Sequence, residues 1–199
     1  MITTIICDWG GVLSCGKWTQ AILDVLAKEK PISIEKVYKE FNDMMVKMNE
    51  GNLSSTDFVK NANKKFNLGM TEEEMGSVFK RAIIPNKEMI NLLRRIHSKY
   101  DLILLSDNDD ITLKSLRKDH ATMLALFKKK YFSHELKIAK PNIKIFEYVL
   151  AELGIDPAQC VFIDDKQKNV DSAKKCGMKG IVFSSVEQVK QELELLGVM

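Results

Sequence analysis

The segment Ile2–Cys7 is a short apolar run that ends on Asp8 and breaks at once into Trp9-Gly10-Gly11. A second apolar run, Cys160–Ile163, also ends on carboxylates, Asp164 and Asp165. An apolar strand that stops at an acid places that acid at the strand's carboxyl edge, where open α/β sheets build their sites. Two strands delivering acids to one edge make a place for a divalent cation. Phosphoryl chemistry is the commonest use of such a place.

The periodicity between these two runs sets the architecture. Ile34, Val37, Tyr38, Phe41, Met45 and Met48 follow the three-and-four spacing of an amphipathic helix, and Phe58, Val59, Ala62 and Phe66 repeat it. Ser54-x-x-Asp57 and Thr71-x-x-Glu74 are capping signals, the second opening a helix through Met75, Val78, Phe79 and Ala82. No strand is legible from about Cys15 to Ile84. Beyond Pro85 the pattern alternates. A helix through Met89–Ile96 precedes a strand at Leu102–Leu105, and a helix around Ile111–Asp119 precedes a weak strand at Tyr131-Phe132. A helix ending at Gly154 leads to a strand at Val161–Ile163. A helix ending at Gly177 leads to a strand at Ile181–Phe183, and a last helix opens at Ser185. Strands alternating with helices predict an α/β fold with a doubly wound parallel sheet. The first long helical stretch reads as an inserted all-helical cap. The expected division is 1–14 and 85–199 for the core and 15–84 for the cap.

Bulk properties exclude several classes of function. Thirty Lys+Arg against 27 Asp+Glu leave a net charge of +3, too little to argue for nucleic acid or a membrane surface. The densest basic run, Lys128-Lys129-Lys130, reads as a solvated face. The four cysteines, Cys7, Cys15, Cys160 and Cys176, form no C-x-x-C pair and read as free thiols. No basic leader precedes a long apolar stretch, and no run is long enough to cross a bilayer. The expected setting is cytoplasmic.

Four elements carry the chemistry in order along the chain: Asp8; Ser106 at the end of Leu102–Leu105; Lys140 followed by Pro141; and Asp164-Asp165 with Asn169. Each alone has an ordinary explanation. A strand-terminal aspartate or serine caps a turn, Lys-Pro marks a loop-to-helix junction, and paired acids favour a helix start. The set in this order resembles the haloacid-dehalogenase-like (HAD) hydrolase superfamily. Three segments carry the resemblance: Ile5–Leu13, Ala139–Phe146 and Val161–Val170.

The resemblance implies a Mg²⁺-dependent phosphatase with a Rossmann-like core, acting on a small phosphorylated metabolite, a sugar phosphate above all. Asp8 would be the nucleophile and would pass through an aspartyl-phosphate. The Asp8 carboxylate, the Gly10 backbone carbonyl and Asp165 would hold Mg²⁺, and Asp164 would act through a water or hold Lys140. Lys140 would neutralise the cluster. The Ser106 hydroxyl, the Asp107 N–H and the Gly11 turn would meet the phosphoryl group. Asn169 would orient the Lys140 or metal shell, and Trp9 would pack beside the site or line its mouth.

Two positions depart from the family's pattern. Most phosphatases of this family carry an acid/base Asp two residues after the nucleophile, where this chain has Gly10. General acid–base help is worth about 10²–10⁴-fold. Members with Gly there are nonetheless regarded as phosphatases that favour sugar phosphates with good leaving groups. At Asp107 related chains often have Asn; the expectation is that the Asp107 side chain turns away to cap the following helix. Two alternatives stay open: a binding protein without turnover, and a metal-independent 2-haloacid dehalogenase, which the retained Asp164-Asp165 pair disfavours.

Overall fold

The computed structural model describes residues 1–198. The elements run β1 (Thr4–Cys7), α1 (Trp18–Leu26), α2 (Ile34–Asn49), α3 (Ser55–Phe66), α4 (Glu72–Ala82), α5 (Lys87–Ile96), β2 (Asp101–Ser106), α6 (Asp110–Asp119), α7 (Ala121–Leu124), β3 (Lys129–Phe132), α8 (Ser133–Leu136), α9 (Ile143–Leu153), β4 (Cys160–Asp164), α10 (Gln167–Lys175), β5 (Lys179–Val182) and α11 (Val186–Leu195). The five strands form one parallel sheet in the order β3-β2-β1-β4-β5. The chain moves outward from β1 through β2 and β3, then returns to β4 on β1's other side. That reversal leaves a crevice at the carboxyl ends of β1 and β4.

Alternation along each central strand supplies both faces of the sheet. Ile5 and Cys7, Leu102 and Leu104, and Val161 and Ile163 enter one buried layer, against α5, α6 and α11. Ile6, Ile103, Leu105 and Phe162 enter the other, against α9 and α10. Strands buried on both faces need near-continuous apolar sequence, which is why these runs were visible in the chain.

Helices α1 to α4 enclose a separate hydrophobic cluster built on Phe41, Phe58 and Phe79. The rings of Phe58 pack edge-on to both Phe41 and Phe79, with centroids 5.3 and 5.9 Å apart. The Thr71–Glu74 capping box forms with both arms: Glu74 N–H to Thr71 Oγ1 at 3.1 Å and Thr71 N–H to Glu74 Oε2 at 2.7 Å. Helix α1 is an addition to the sequence reading. It buries Ile22, Leu23 and Leu26, but nine residues with no side-chain cap carry little periodic signal.

Two adjacent strands of chain join this insert to the sheet. Cys15 N–H donates to the Ile84 carbonyl at 2.7 Å and Asn86 N–H to the Leu13 carbonyl at 2.9 Å. Further contacts bridge the two units: Ser55 Oγ donates to Asp110 Oδ2 at 2.8 Å, Lys80 pairs with Asp119 at 3.0 Å, and Ile111 of α6 joins the insert's cluster.

The basic run is partly structural. Strand β3 begins at Lys129, two residues before Tyr131. Lys128 and Lys129 form exposed pairs with Asp101 and Glu152, and Lys130 Nζ donates to the Phe127 carbonyl at 2.8 Å. Lysines on a sheet edge also discourage pairing with another strand.

Candidate active site

Strand β1 delivers Asp8 into the crevice, where it is 4 % exposed. Its Oδ1 accepts the Trp9 N–H at 2.7 Å and faces Lys140 Nζ at 2.8 Å. Strand β4 delivers Asp164, fully buried, whose Oδ2 faces the same ammonium at 2.8 Å. The third proton of that ammonium goes to the Leu105 carbonyl at 3.0 Å. An ammonium has three donors, and here each has an acceptor in the interior. Lys140 Nζ lies over the Phe162 ring, 5.5 Å from its centroid. The Lys140–Pro141 peptide is cis.

The charges set one another's protonation. Burial works against the charge on Lys140, but the carboxylates of Asp8, Asp164 and Asp107 outweigh it and hold the ammonium well above its usual range. Burial raises Asp8, and Asp164 and Asp107 add to the rise while Lys140 opposes it. Burial also pushes Asp164 up, yet Lys140, the Lys166 N–H at 2.8 Å and the Asn169 amide together hold it below the ordinary carboxylate range. Asn169 Nδ2 lies 2.9 and 3.0 Å from the two Asp164 oxygens. It therefore orients Asp164, and Lys140 only through it.

Asp8, Asp164 and Asp165 offer oxygens that all lie within 4.8 Å of one another. Hard oxygens at this spacing fit Mg²⁺. The hydrogen bonds divide their labour. Asp164 is engaged by Lys140, Lys166 and Asn169, whereas Asp8 Oδ2 accepts no hydrogen bond among the described residues. Asp8 and Asp165 are thus the side chains free to hold a cation directly, with Asp164 behind them. Gly11 makes the approach possible. It sits at φ +76°, and a Cβ there would stand 2.5 Å from the Asp165 carboxyl carbon; only glycine meets both conditions. Gly10 differs, since a Cβ added to it meets nothing within 4 Å.

Strand β2 ends on Ser106, whose Oγ is buried and has no hydrogen-bond partner among the described residues. A buried hydroxyl left unpaired is costly, and an incoming phosphoryl oxygen would satisfy it. Asp107 corrects the sequence expectation. Its side chain does not cap α6 but turns toward the site, where Oδ1 accepts the Lys140 N–H at 3.0 Å. Asp109 caps α6 instead, accepting the Thr112 N–H at 2.7 Å and the Thr112 hydroxyl at 2.8 Å. Sequence position alone does not separate two aspartates that both precede a helix.

Trp9 also departs from a position at an open mouth. Its indole is 3 % exposed within the sheet core, its ring centroid 6.1 Å from that of His120. The side chain packs beside Asp8, and the Trp9 backbone N–H holds the carboxylate.

In an α/β fold, a sheet edge bearing a buried lysine between two carboxylates, a third carboxylate and a serine hydroxyl unpaired among the described residues makes a site suited to an oxyanion and a cation. The profile of haloacid dehalogenase-like hydrolases matches residues 2–177, and the chain belongs to that family. The chain is 22% identical over 208 residues to D-ribitol-5-phosphate phosphatase of Bacteroides thetaiotaomicron, a match covering 98% of each. It is 36% identical over 59 residues to flavin mononucleotide hydrolase 1 of Arabidopsis thaliana, but that match covers 30% of this chain and only 24% of the relative. Among solved structures, a HAD family enzyme of B. thetaiotaomicron superimposes with a TM-score of 0.85 at 23% identity, covering 96% of this chain and 98% of that one. Its asp12ala mutant in complex with magnesium and inorganic phosphate gives 0.80 over 94% and 96%. At this identity the likeness is one of fold.

Proposed function

We propose that the protein is a Mg²⁺-dependent phosphatase that hydrolyses a small phosphomonoester through an aspartyl-phosphate on Asp8. The observation that carries this reading is Lys140: one buried ammonium joins Asp8 and Asp164 at 2.8 Å each, beside a serine hydroxyl that lacks a partner. The relatives named above, a polyol-phosphate phosphatase and a fold neighbour in complex with magnesium and phosphate, support the same class.

In this reading an Asp8 carboxylate oxygen attacks phosphorus, the ester P–O bond breaks, and the alkoxide leaves, taking its proton from water because position 10 carries no acid. Lys140 screens the repulsion between nucleophile and phosphate. The Ser106 hydroxyl and the Asp107 N–H hold phosphoryl oxygens, and Asn169 keeps Asp164 in place behind Lys140. Water, giving up a proton to solvent, then attacks phosphorus, the Asp8 oxygen–phosphorus bond breaks, and inorganic phosphate leaves with the carboxylate regenerated. Asp8, Asp165 and the Gly10 carbonyl would hold Mg²⁺, with Asp164 behind them, and the bound ion would supply charge neutralisation for the transferring group. Residues 15–84 act as a cap over the crevice and 1–14 with 85–199 as the catalytic core. Closure would exclude water and select the alcohol.

Gly10 favours one second reading, a protein that binds a phosphorylated ligand without turnover, because no acid stands there to protonate the leaving alcohol. Phosphate release from p-nitrophenyl phosphate and a sugar- and polyol-phosphate panel separates the two. The assay compares Mg²⁺, EDTA and Asp8→Asn. Turnover that needs both Mg²⁺ and Asp8 establishes the phosphatase. A folded protein releasing no more phosphate than its Asp8→Asn variant supports the binding reading. Metal-independent halide release from 2-haloacids would instead establish the dehalogenase.

A further inference from the structure

Two buried amide atoms at the seam between insert and core have no hydrogen-bond partner among the described residues. Asn108 lies two residues past Ser106 and is 3 % exposed. Its Oδ1 accepts the Asp109 N–H at 2.9 Å, which fixes the amide and leaves Nδ2 as the free end. That Nδ2 is buried without a hydrogen bond. Asn49 is the last residue of α2 in the insert, and its Oδ1 is likewise buried and unpaired.

One hydroxyl holds both residues. Ser133 Oγ donates to the Asn49 carbonyl and accepts the Asn108 N–H, the latter at 3.1 Å. His134 Nδ1 adds a hydrogen bond to the Asn108 carbonyl at 2.8 Å. The turn after α2 passes so close that a Cβ on Gly51 would stand 2.8 Å from the His134 carbonyl. The backbone around the two amides is therefore braced while their outer ends remain unsatisfied. Ser133 follows β3 and Asn108 follows β2, on the same sheet edge as Asp8. The residue between Ser106 and Asn108 is Asp107, which binds the Lys140 N–H.

Buried polar groups in native proteins are paired, so a free donor two residues past Ser106 and a free acceptor braced by the same serine hydroxyl call for a partner that offers both. An alcohol hydroxyl is such a group. We propose that Asn108 and Asn49 read a hydroxyl of the leaving alcohol, Asn108 Nδ2 donating to its oxygen and Asn49 Oδ1 accepting its proton. The substrate class is then a polyol or sugar phosphate; a hydrocarbon phosphate leaves both amides unpaired. Because Asn49 belongs to the insert and Asn108 to the core, the same hydroxyl ties the two units together over the substrate. This inference rests on the phosphatase reading.

The test is the ratio of kcat/KM for ribitol 5-phosphate to kcat/KM for pentyl phosphate, which matches it in length and lacks hydroxyls. A site built to hydrogen-bond a hydroxyl discriminates strongly against its absence, so the unaltered protein should show a ratio of at least about 10². Asn108→Leu and Asn49→Ala should each lower that ratio about tenfold. Asn49→Ala ends a helix on a good helix former and keeps the test open if Asn108→Leu does not fold. A ratio near one in the unaltered protein, or one unchanged within about twofold in both variants, overturns the inference. p-Nitrophenyl phosphate, which has no alcohol hydroxyl, separates the two levels: its turnover with a flat ratio sinks only the hydroxyl reading, whereas no turnover of any ester sinks the phosphatase reading as well.

Discussion

Replacing Lys140 with methionine removes a charge but keeps most of the volume. The ammonium serves two buried carboxylates at 2.8 Å and one carbonyl at 3.0 Å, and its side chain has no exposure. Breaking a buried pair by removing one partner costs about 3–5 kcal/mol, because the other charge stays in the interior unpaired. Here two carboxylates are stranded, so the upper half of that range applies, about 4–5 kcal/mol. For a chain of this size each kcal/mol is worth about 2–4 °C, giving a fall in Tm of roughly 8–20 °C in EDTA at pH 7.5. Burial already raises the Asp8 carboxyl while Lys140 opposes the rise, so removing the ammonium raises it further. The variant is then least disadvantaged at low pH, where Asp8 is protonated, and loses stability as pH rises through that raised value. Adding Asp8→Asn to Lys140→Met should recover about 1–3 kcal/mol, since the two sites share one interaction. Urea denaturation between pH 4 and 8 measures all three proteins. A loss independent of pH, with no recovery in the double variant, would mean that Lys140 acts through packing alone and would refute the charge argument.

Other substitutions carry different signs. Ser106→Ala deletes an unpaired buried hydroxyl, so stability should hold or rise by up to about 1 kcal/mol while inhibition by inorganic phosphate weakens; a marked fall in Tm would show that the hydroxyl has a partner in the folded protein. Gly10→Asp introduces a Cβ that meets nothing within 4 Å, at a glycine outside the left-handed region. Folding should be unaffected, and turnover of alkyl phosphates with poor leaving groups should rise about 10–100-fold, read as phosphate release; no gain would place the missing proton elsewhere. Asp109 is raised by burial from 3.8 to about 6, so its stabilising contribution is complete below pH 3.8 and lost as pH rises through about 6. At about 1.4 kcal/mol per pH unit the unaltered protein should lose about 3 kcal/mol relative to Asp109→Asn between those limits. Parallel pH–stability curves for the two proteins would contradict this.

The strands and most helices were legible because they answer to short-range rules. β4 is the run Cys-Val-Phe-Ile-Asp, buried at every position, and a strand covered on both faces has no room for polar alternation. The Thr71–Glu74 box announces α4 because both hydrogen bonds close within four residues. The four-residue α7 and α8 were illegible for the converse reason: they have no side-chain caps and are too short for a periodic pattern to repeat. Asp109 took the capping role expected of Asp107 because each has the chemistry of a cap, and only the position of Lys140, thirty-three residues away from Asp107, decided which one turned inward.

The sequence by itself determined the fold class, the order of the strands' carboxylates and the chemistry on offer, since hydrophobic period, helix caps and strand-ending acids are local properties of the chain. The tertiary structure decided what those residues do to one another. It buried Lys140 between Asp8 and Asp164 and turned Asn169 onto Asp164. It pressed Gly11 against Asp165 and brought Asn49 of the insert and Asn108 of the core to one serine hydroxyl. Desolvation and ion pairing depend on distance and burial in the folded protein. Separation along the chain fixes neither, so these interactions existed only once the sheet had assembled its carboxyl edge and the insert had closed against it.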